Sequence, residues 1–253
     1  MDDRITLDVY DTDADAFEAT AERAAAILRA ALGRGRATIA TSGGRAGRGV
    51  LLALAARTDV PWDRIEWYWA DERCVPPDDG HSNVRLAREN LLGPRRIPAA
   101  RIHPPPVELG DPARVAATYA DTLRAELDPG PAPVFDLVLL GLGPDGHVAS
   151  LPPGSAALRA TDPVVAVGAD EMNTPPAVAR ITLTPPVLQA ARHVLLTACG
   201  AEKAAAVAAA LREPVDPIRR PAQLVRPGGT VAWVVDMAAA GDLLKAAAPA
   251  PGA

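Results

Sequence analysis

The chain has 253 residues, a formal net charge of −5, and 49% apolar against 23% charged residues. That length suits one large α/β domain, and the negative balance excludes a general attraction to nucleic acid, so any phosphate must be met by a few locally placed cations. No stretch reaches the roughly 18 uninterrupted apolar residues of a membrane span, and the opening MDDRITLDVY lacks the basic-then-apolar layout of an export signal, so a cytoplasmic location without membrane contact is expected.

ITLDVY reads as a strand, the Ala-rich DADAFEATAERAAAILRAAL as an amphipathic helix stopped at Gly33, and RATIAT as a second strand. A Gly-rich turn, SGGRAGRG, leads to a helix VLLALAAR. After Pro61, IEWYWA is an aromatic strand that runs into DERCVPPDDGHSN, and a helix is expected near NVRLARENLL. The Pro-rich IHPPPVELGDP connects to the helix ARVAATYADTLRAEL, and PGPAP breaks the chain before the strand FDLVLLGLG. DPVVAVGA, ARITLTP and HVLLTACG read as three further strands, AEKAAAVAAALRE as a helix opening just after Gly200, and TVAWVVD as a last strand before a closing helix. The composition of AAAPAPGA is that of a disordered tail, so residues 1–243 are expected to form a single α/β domain and 244–253 a flexible C-terminal tail.

Strands alternating with helices, several of them apolar on both faces, predict an α/β fold with a mainly parallel sheet covered by helices on both sides. Ligands bind beyond the carboxyl ends of such strands. That rule selects Ser42 to Arg45, Asp71 to Cys74, Gly143 to His147, and the turn from Gly200 to Lys203.

Gly141, Gly143 and Gly146 fall into the G-x-G-x-x-G spacing of a dinucleotide fingerprint, but the helix that must follow is missing: after HVASL come Pro152, Pro153 and Gly154. The same glycines let backbone approach a small ligand while Asp145 and His147 face it, and histidine is the side chain best suited to take a proton near neutral pH. TSGGRAGRG is a strand-glycine-helix junction with backbone amides for an anion and without the G-K-[ST] of a P-loop; Arg45 and Arg48 tilt it towards phosphate. Lys203 in a first helical turn opposes the helix dipole by about 0.3 to 1 kcal/mol, which a bound anion would offset. His81, His103 and His193 have no metal-ligand spacing with each other or with Cys74 and Cys199, so no metal and no disulfide is expected. No G-x-S-x-G is present, so water is the expected nucleophile of any hydrolysis.

WADERCV with Ser82 and Asn83, FDLVLLGLGPDGHVASLPPG, and RITLTPPVLQAARHVLLTACGAEKA, together with the SGG turn, resemble the 6-phosphogluconolactonases in content and order, from about residue 5 to about 240. The resemblance implies a modified doubly wound fold similar to that of the glucosamine-6-phosphate deaminases. It implies a cofactor-free opening of 6-phosphoglucono-1,5-lactone, with a small-molecule sugar phosphate as partner to a monomer or small homo-oligomer. His147 of the D-G-H motif maps onto the general base; Ser42, Gly43, Gly44, Arg45, Arg180 and Lys203 map onto phosphate contacts, and Arg73, Asn83 and Gly143 onto substrate binding. Asp145 or Asp71 would order His147 or the substrate hydroxyls, and amides near Gly143 to Gly146, or Arg73, would face the oxyanion. Two departures from the family pattern are Arg45-Ala46-Gly47, where a polar residue and Thr-Pro usually follow SGG, and Pro152 in place of Phe. The related isomerase/deaminases continue D-G-H into a run resembling F-N-E-P, whereas ASLPPG carries no acid. A sugar-phosphate regulator would need a DNA-binding module for which the chain has no spare length.

Overall fold

The computed structural model describes residues 4–127, 130–226 and 228–247. Its first half runs β1 (Ile5–Tyr10), α1 (Asp13–Gly33), β2 (Ala37–Thr41), α2 (Gly44–Ala56), β3 (Ile65–Trp69), β4 (Asp71–Arg73), α3 (Asn83–Ala87) and α4 (Pro112–Glu126). The second half runs β5 (Leu137–Gly141), β6 (Val164–Val167), β7 (Arg180–Leu183), α5 (Pro185–Ala190), β8 (His193–Ala198), α6 (Ala204–Arg212), β9 (Thr230–Asp236) and α7 (Met237–Ala247). Residues 244–247, assigned to the tail on composition, thus continue the last helix, and 248–253 lie outside the described residues.

The six-stranded sheet has the order β1-β9-β8-β5-β2-β3, and every pairing in it is parallel. β2 and β3 are buried at every residue, as expected where helices cover both faces and no polar side chain has a wet side to turn to. From β2 the chain winds outward to β3, and from β5 it winds the other way through β8 to β9. The crevice between β2 and β5 is therefore the topological switch point where ligands sit in this class of fold.

β4, β7 and β6 stand apart in a small antiparallel sheet, although the sequence pattern reads the β6 and β7 segments as strands of one mainly parallel sheet and Asp71–Arg73 as the end of the aromatic strand. They are three or four residues long, and the link from β6 to β7 has no crossover helix, so a parallel return was not open to that pair. Ala70 joins the two sheets: its N–H donates to Thr41 O at 2.9 Å and its carbonyl accepts from Leu183 N at 2.8 Å.

The second difference concerns SGGRAGRG. It is not an extended turn, because α2 begins at Gly44 and residues 45–49 are helical. Glycine permits this by close approach: a Cβ on Gly47 would stand 2.4 Å from Ser42 O, and one on Gly49 would stand 2.3 Å from the Phe17 ring of α1. Gly44 itself has φ +77°, the left-handed region that favours glycine.

Candidate active site

Three neighbouring strands of the main sheet, β8, β5 and β2, end at one cavity of about 280 Å³, and β4 and β7 of the small sheet close its far wall. At the end of β2, Ser42 anchors its own N–H on Leu139 O at 3.2 Å, while its buried hydroxyl has no hydrogen-bond partner. Gly43 caps α2 without a side chain, so the first-turn amides of a 13-residue helix are left without intrahelical partners at the cavity edge. Arg45 reaches across from that turn to donate to Cys199 O beyond β8 and lies 4.0 Å from Glu202. Gly200, at φ +101°, donates its N–H to both oxygens of Asp236 at 3.0 Å, which fixes the turn before Lys203. Burial lowers the Lys203 ammonium below the usual lysine range; Glu202 opposes this and Arg45 adds to it.

Beyond β5 the bend from Gly143 to His147 closes on itself. Gly143 N donates to His147 O at 2.8 Å and Gly146 N to Gly143 O at 3.0 Å, with Gly146 at φ +85°. His147 N donates to Asp145 Oδ1 at 3.2 Å, and His147 Nδ1 lies 2.6 Å from the same oxygen. Burial alone would raise the Asp145 carboxyl, but the hydrogen bond from His147, its charge and the local amides outweigh it and hold the group below the ordinary carboxylate range. An ionised carboxylate only accepts, so Nδ1 carries the proton of this hydrogen bond, and a neutral imidazole then has its lone pair on Nε2. The Gly143, Gly146 and His147 amides are spent within the bend, the Asp145 amide turns to its own carboxylate and Pro144 has none, which leaves Arg73 as the stronger candidate to face an oxyanion. A Cβ on Gly143 would fall 2.0 Å from His147 Nδ1, so only glycine leaves room for the imidazole.

The far wall is cationic. In the register of β4 and β7, Arg73 lies directly opposite Arg180. Arg180 is 2% exposed, and its Nη2 donates to Thr174 O at 2.9 Å and Pro176 O at 3.4 Å. Burial lowers its guanidinium, with the charge of Arg73 acting in the same direction and Asp71 and Asp145 against it. Arg73 Nη1 donates to Asn83 Oδ1 at 2.6 Å and His81 O at 2.8 Å. The Nε atoms of both arginines are buried without a partner. Asp71, also buried, accepts from Ser150 Oγ at 2.8 Å, so Asp145 and not Asp71 is the carboxylate bonded to His147.

Of the twelve residues singled out from the sequence, Ser42, Gly43, Gly44, Arg45, Asp71, Arg73, Gly143, His147, Arg180 and Lys203 line this cavity. Asp145 and Asn83 stand one layer behind, against His147 and Arg73. The other three histidines lie elsewhere, His103 on Glu66 and His193 on Thr230, and no group of three or more His, Cys, Asp or Glu among the described residues is placed to hold a metal. Sequence reasoning missed Ala149, Thr174 and Pro175 of the lining, and took in Glu202 only within the turn from Gly200 to Lys203. Ala149 is signalled only by its backbone, at φ +50°. Thr174 and Pro175 sit in an irregular link with no motif, whereas Glu202 was within reach as the neighbour of Lys203.

The profile of the family described as glucosamine-6-phosphate isomerases/6-phosphogluconolactonase matches residues 11–233. The chain belongs to that family. It is 39% identical over 219 residues to the 6-phosphogluconolactonase of Synechocystis, covering 86% of this chain and 89% of the relative. Among solved structures, the 6-phosphogluconolactonase of Trypanosoma brucei superposes with a TM-score of 0.84 at 30% identity, over 94% of this chain and 98% of that one. A monomeric glucosamine-6-phosphate deaminase superposes with a TM-score of 0.80 at 18% identity, over 94% and 99%, which establishes the shared deaminase-like fold. No helix among the described residues is long and apolar enough to cross a membrane.

Proposed function

We infer that the chain hydrolyses 6-phospho-D-glucono-1,5-lactone to 6-phosphogluconate, with His147 as the base that activates water. The observation that carries the choice of base is the Asp145–His147 pair: the carboxylate takes Nδ1, and the remaining ring nitrogen belongs to a cavity whose opposite walls are cationic. Nε2 takes a proton from water as the oxygen adds to C1 of the lactone, and the carbonyl electrons move onto its oxygen. Arg73, already a contact of the bound lactone, faces the resulting oxyanion. When the tetrahedral species collapses, the bond from C1 to the ring oxygen breaks, and His147 returns the proton to that oxygen as the C5 hydroxyl forms. The new carboxylic acid then ionises.

The phosphate is held away from the reacting carbon by the first-turn amides of α2, the Ser42 hydroxyl, Lys203 and Arg180. Binding energy at this remote group is used to orient the carbonyl against the base. A cytoplasmic setting belongs to this reading: Cys74 and Cys199 have neither a C-x-x-C pair nor the even spacings of a disulfide framework.

The test is lactone hydrolysis at mildly acidic pH, where the background reaction is slow, comparing the native chain with His147→Asn. Asn keeps a polar group that can donate to Asp145 but accepts no proton, so turnover is expected to fall by about 100- to 10,000-fold while 6-phosphogluconate still binds. Native-like turnover by the variant would remove His147 as the base, and ammonia release from glucosamine 6-phosphate by the native chain would favour the deaminase branch of the family.

A further inference from the structure

Between Asp71 and Arg73, β4 carries a carboxylate that the chemistry above does not use. Glu72 is 1% exposed. Its Oε1 accepts from Arg73 N and Asn83 N, both at 2.7 Å, and its Oε2 from Val84 N at 2.7 Å and Ser82 Oγ at 3.0 Å. All four donors are neutral. Burial pushes this carboxyl up, against the donors that favour its ionised form. For folding alone, a well-packed apolar side chain would cost less than a carboxylate taken out of water.

What the carboxylate supplies is a fixed geometry. Three of its donors open α3, where Ser82 is the N-cap and Asn83 and Val84 are the first residues. Asn83 is thereby held with its carboxamide between three parts of the site. Its Nδ2 donates to Asp71 O at 2.9 Å, its Oδ1 accepts from Arg73 Nη1 at 2.6 Å, and that same oxygen lies 1.8 Å from where a Cβ on Gly43 would stand. Both acceptors of Arg73, Asn83 Oδ1 and His81 O, are uncharged, so the guanidinium is oriented without being neutralised.

We propose that Glu72 is a positioning residue: its buried carboxylate locks the entry of α3, so that Asn83 holds Arg73 towards the cavity and against the α2 turn, and substrate affinity depends on it. This rests on the reading of Arg73 as a substrate contact. The experiment compares Glu72→Gln and Ser82→Ala, each alone and combined with Arg73→Ala, by kcat and KM for the lactone and by the inhibition constant of 6-phosphogluconate, with circular dichroism and thermal unfolding as the check on folding. Glu72→Gln keeps the volume but points an amide donor at an N–H. It is expected to lower kcat/KM by about 10- to 100-fold, mostly through KM, with a smaller loss of the same kind in Ser82→Ala.

In the Arg73→Ala background neither change should lower kcat/KM further, because residues that act through one group do not add. A merely structural role would instead lower the unfolding temperature and leave KM alone, or give losses that multiply with that of Arg73→Ala; either result overturns the proposal. Should Glu72→Gln not fold, Ser82→Ala decides by the same criteria. A raised KM in Arg73→Ala beside an unchanged KM in Glu72→Gln sinks this inference alone, whereas an unchanged KM in Arg73→Ala removes the substrate reading of Arg73 as well.

Discussion

Asp145→Asn preserves the shape of the group that meets His147 Nδ1 at 2.6 Å and removes its charge. In the proposed mechanism the charge matters because the imidazole becomes a cation when Nε2 takes a proton from water, and the carboxylate is the group hydrogen-bonded to it at that moment. A hydrogen bond involving a charged group contributes about 1.5 to 3 kcal/mol, and each 1.4 kcal/mol or so is a factor of ten, so kcat is expected to fall by about 10- to 150-fold. KM should stay near its native value, since Asp145 stands behind His147 and does not line the cavity. Initial rates of acid release at several lactone concentrations, both proteins at one pH, give the two constants separately. A kcat equal to the native value would refute the reasoning. Stability supplies a second check. A carboxyl held below its unfolded value contributes stability above about pH 4, and that contribution is lost as the pH falls through its folded value. The native chain should therefore be the more urea-resistant of the two at neutral pH, and the gap should close in acid.

Gly143→Ala places a methyl 2.0 Å from His147 Nδ1 and 2.6 Å from Asp145 Oδ1, so the pair must move; a loss of about 100-fold in kcat with an unchanged circular dichroism spectrum is expected. Unaltered turnover would mean that the imidazole does not need its present place. For Lys203, burial holds the ammonium below the usual range, so affinity for the phosphorylated substrate should decline as the pH rises through a value below about 10.4. Lys203→Arg should carry that decline to higher pH, and a KM independent of pH across the alkaline range would exclude Lys203 from phosphate binding.

The strand ends were legible in the sequence because period and glycine mark them: the apolar run Leu137–Gly141 followed by Gly143, Asp145, Gly146 and His147 announces a tight bend whatever the ligand. The burial of Asp71 and Glu72 was not. Three charged residues in a row look like a solvated corner, and what buries them is supplied from elsewhere, by Ser82 and Asn83 ten and eleven residues on and by Ser150 seventy-nine residues on. The sequence also could not say what replaces the usual Thr-Pro after the SGG turn. Here no side chain caps α2; Gly44 starts the helix from a positive φ, Gly47 lets it lie close against Ser42, and Arg45 ties its first turn to the loop after β8. Thr174 and Pro175 reach the cavity only because the buried Arg180 holds the loop that carries them, through the carbonyls of Thr174 and Pro176.

The opposed arginines explain why such a site selects an anion. Like charges directly across an antiparallel pair destabilise a sheet, and here Arg73 faces Arg180 with a buried, unpartnered Nε on each. The chain as a whole is acidic, so the positive potential belongs to this wall and does not draw in polyanions at large. A phosphorylated ligand, or the charge that develops on a lactone oxygen, supplies what the two guanidiniums lack, whereas an unphosphorylated lactone brings no charge until it reacts. Stabilisation by a ligand that binds only the folded chain grows with its concentration over its Kd. On the proposed reading, an anionic ligand offsets the part of the repulsion between Arg73 and Arg180 that Asp71 and Asp145 leave, which favours a sugar phosphate over the corresponding free sugar.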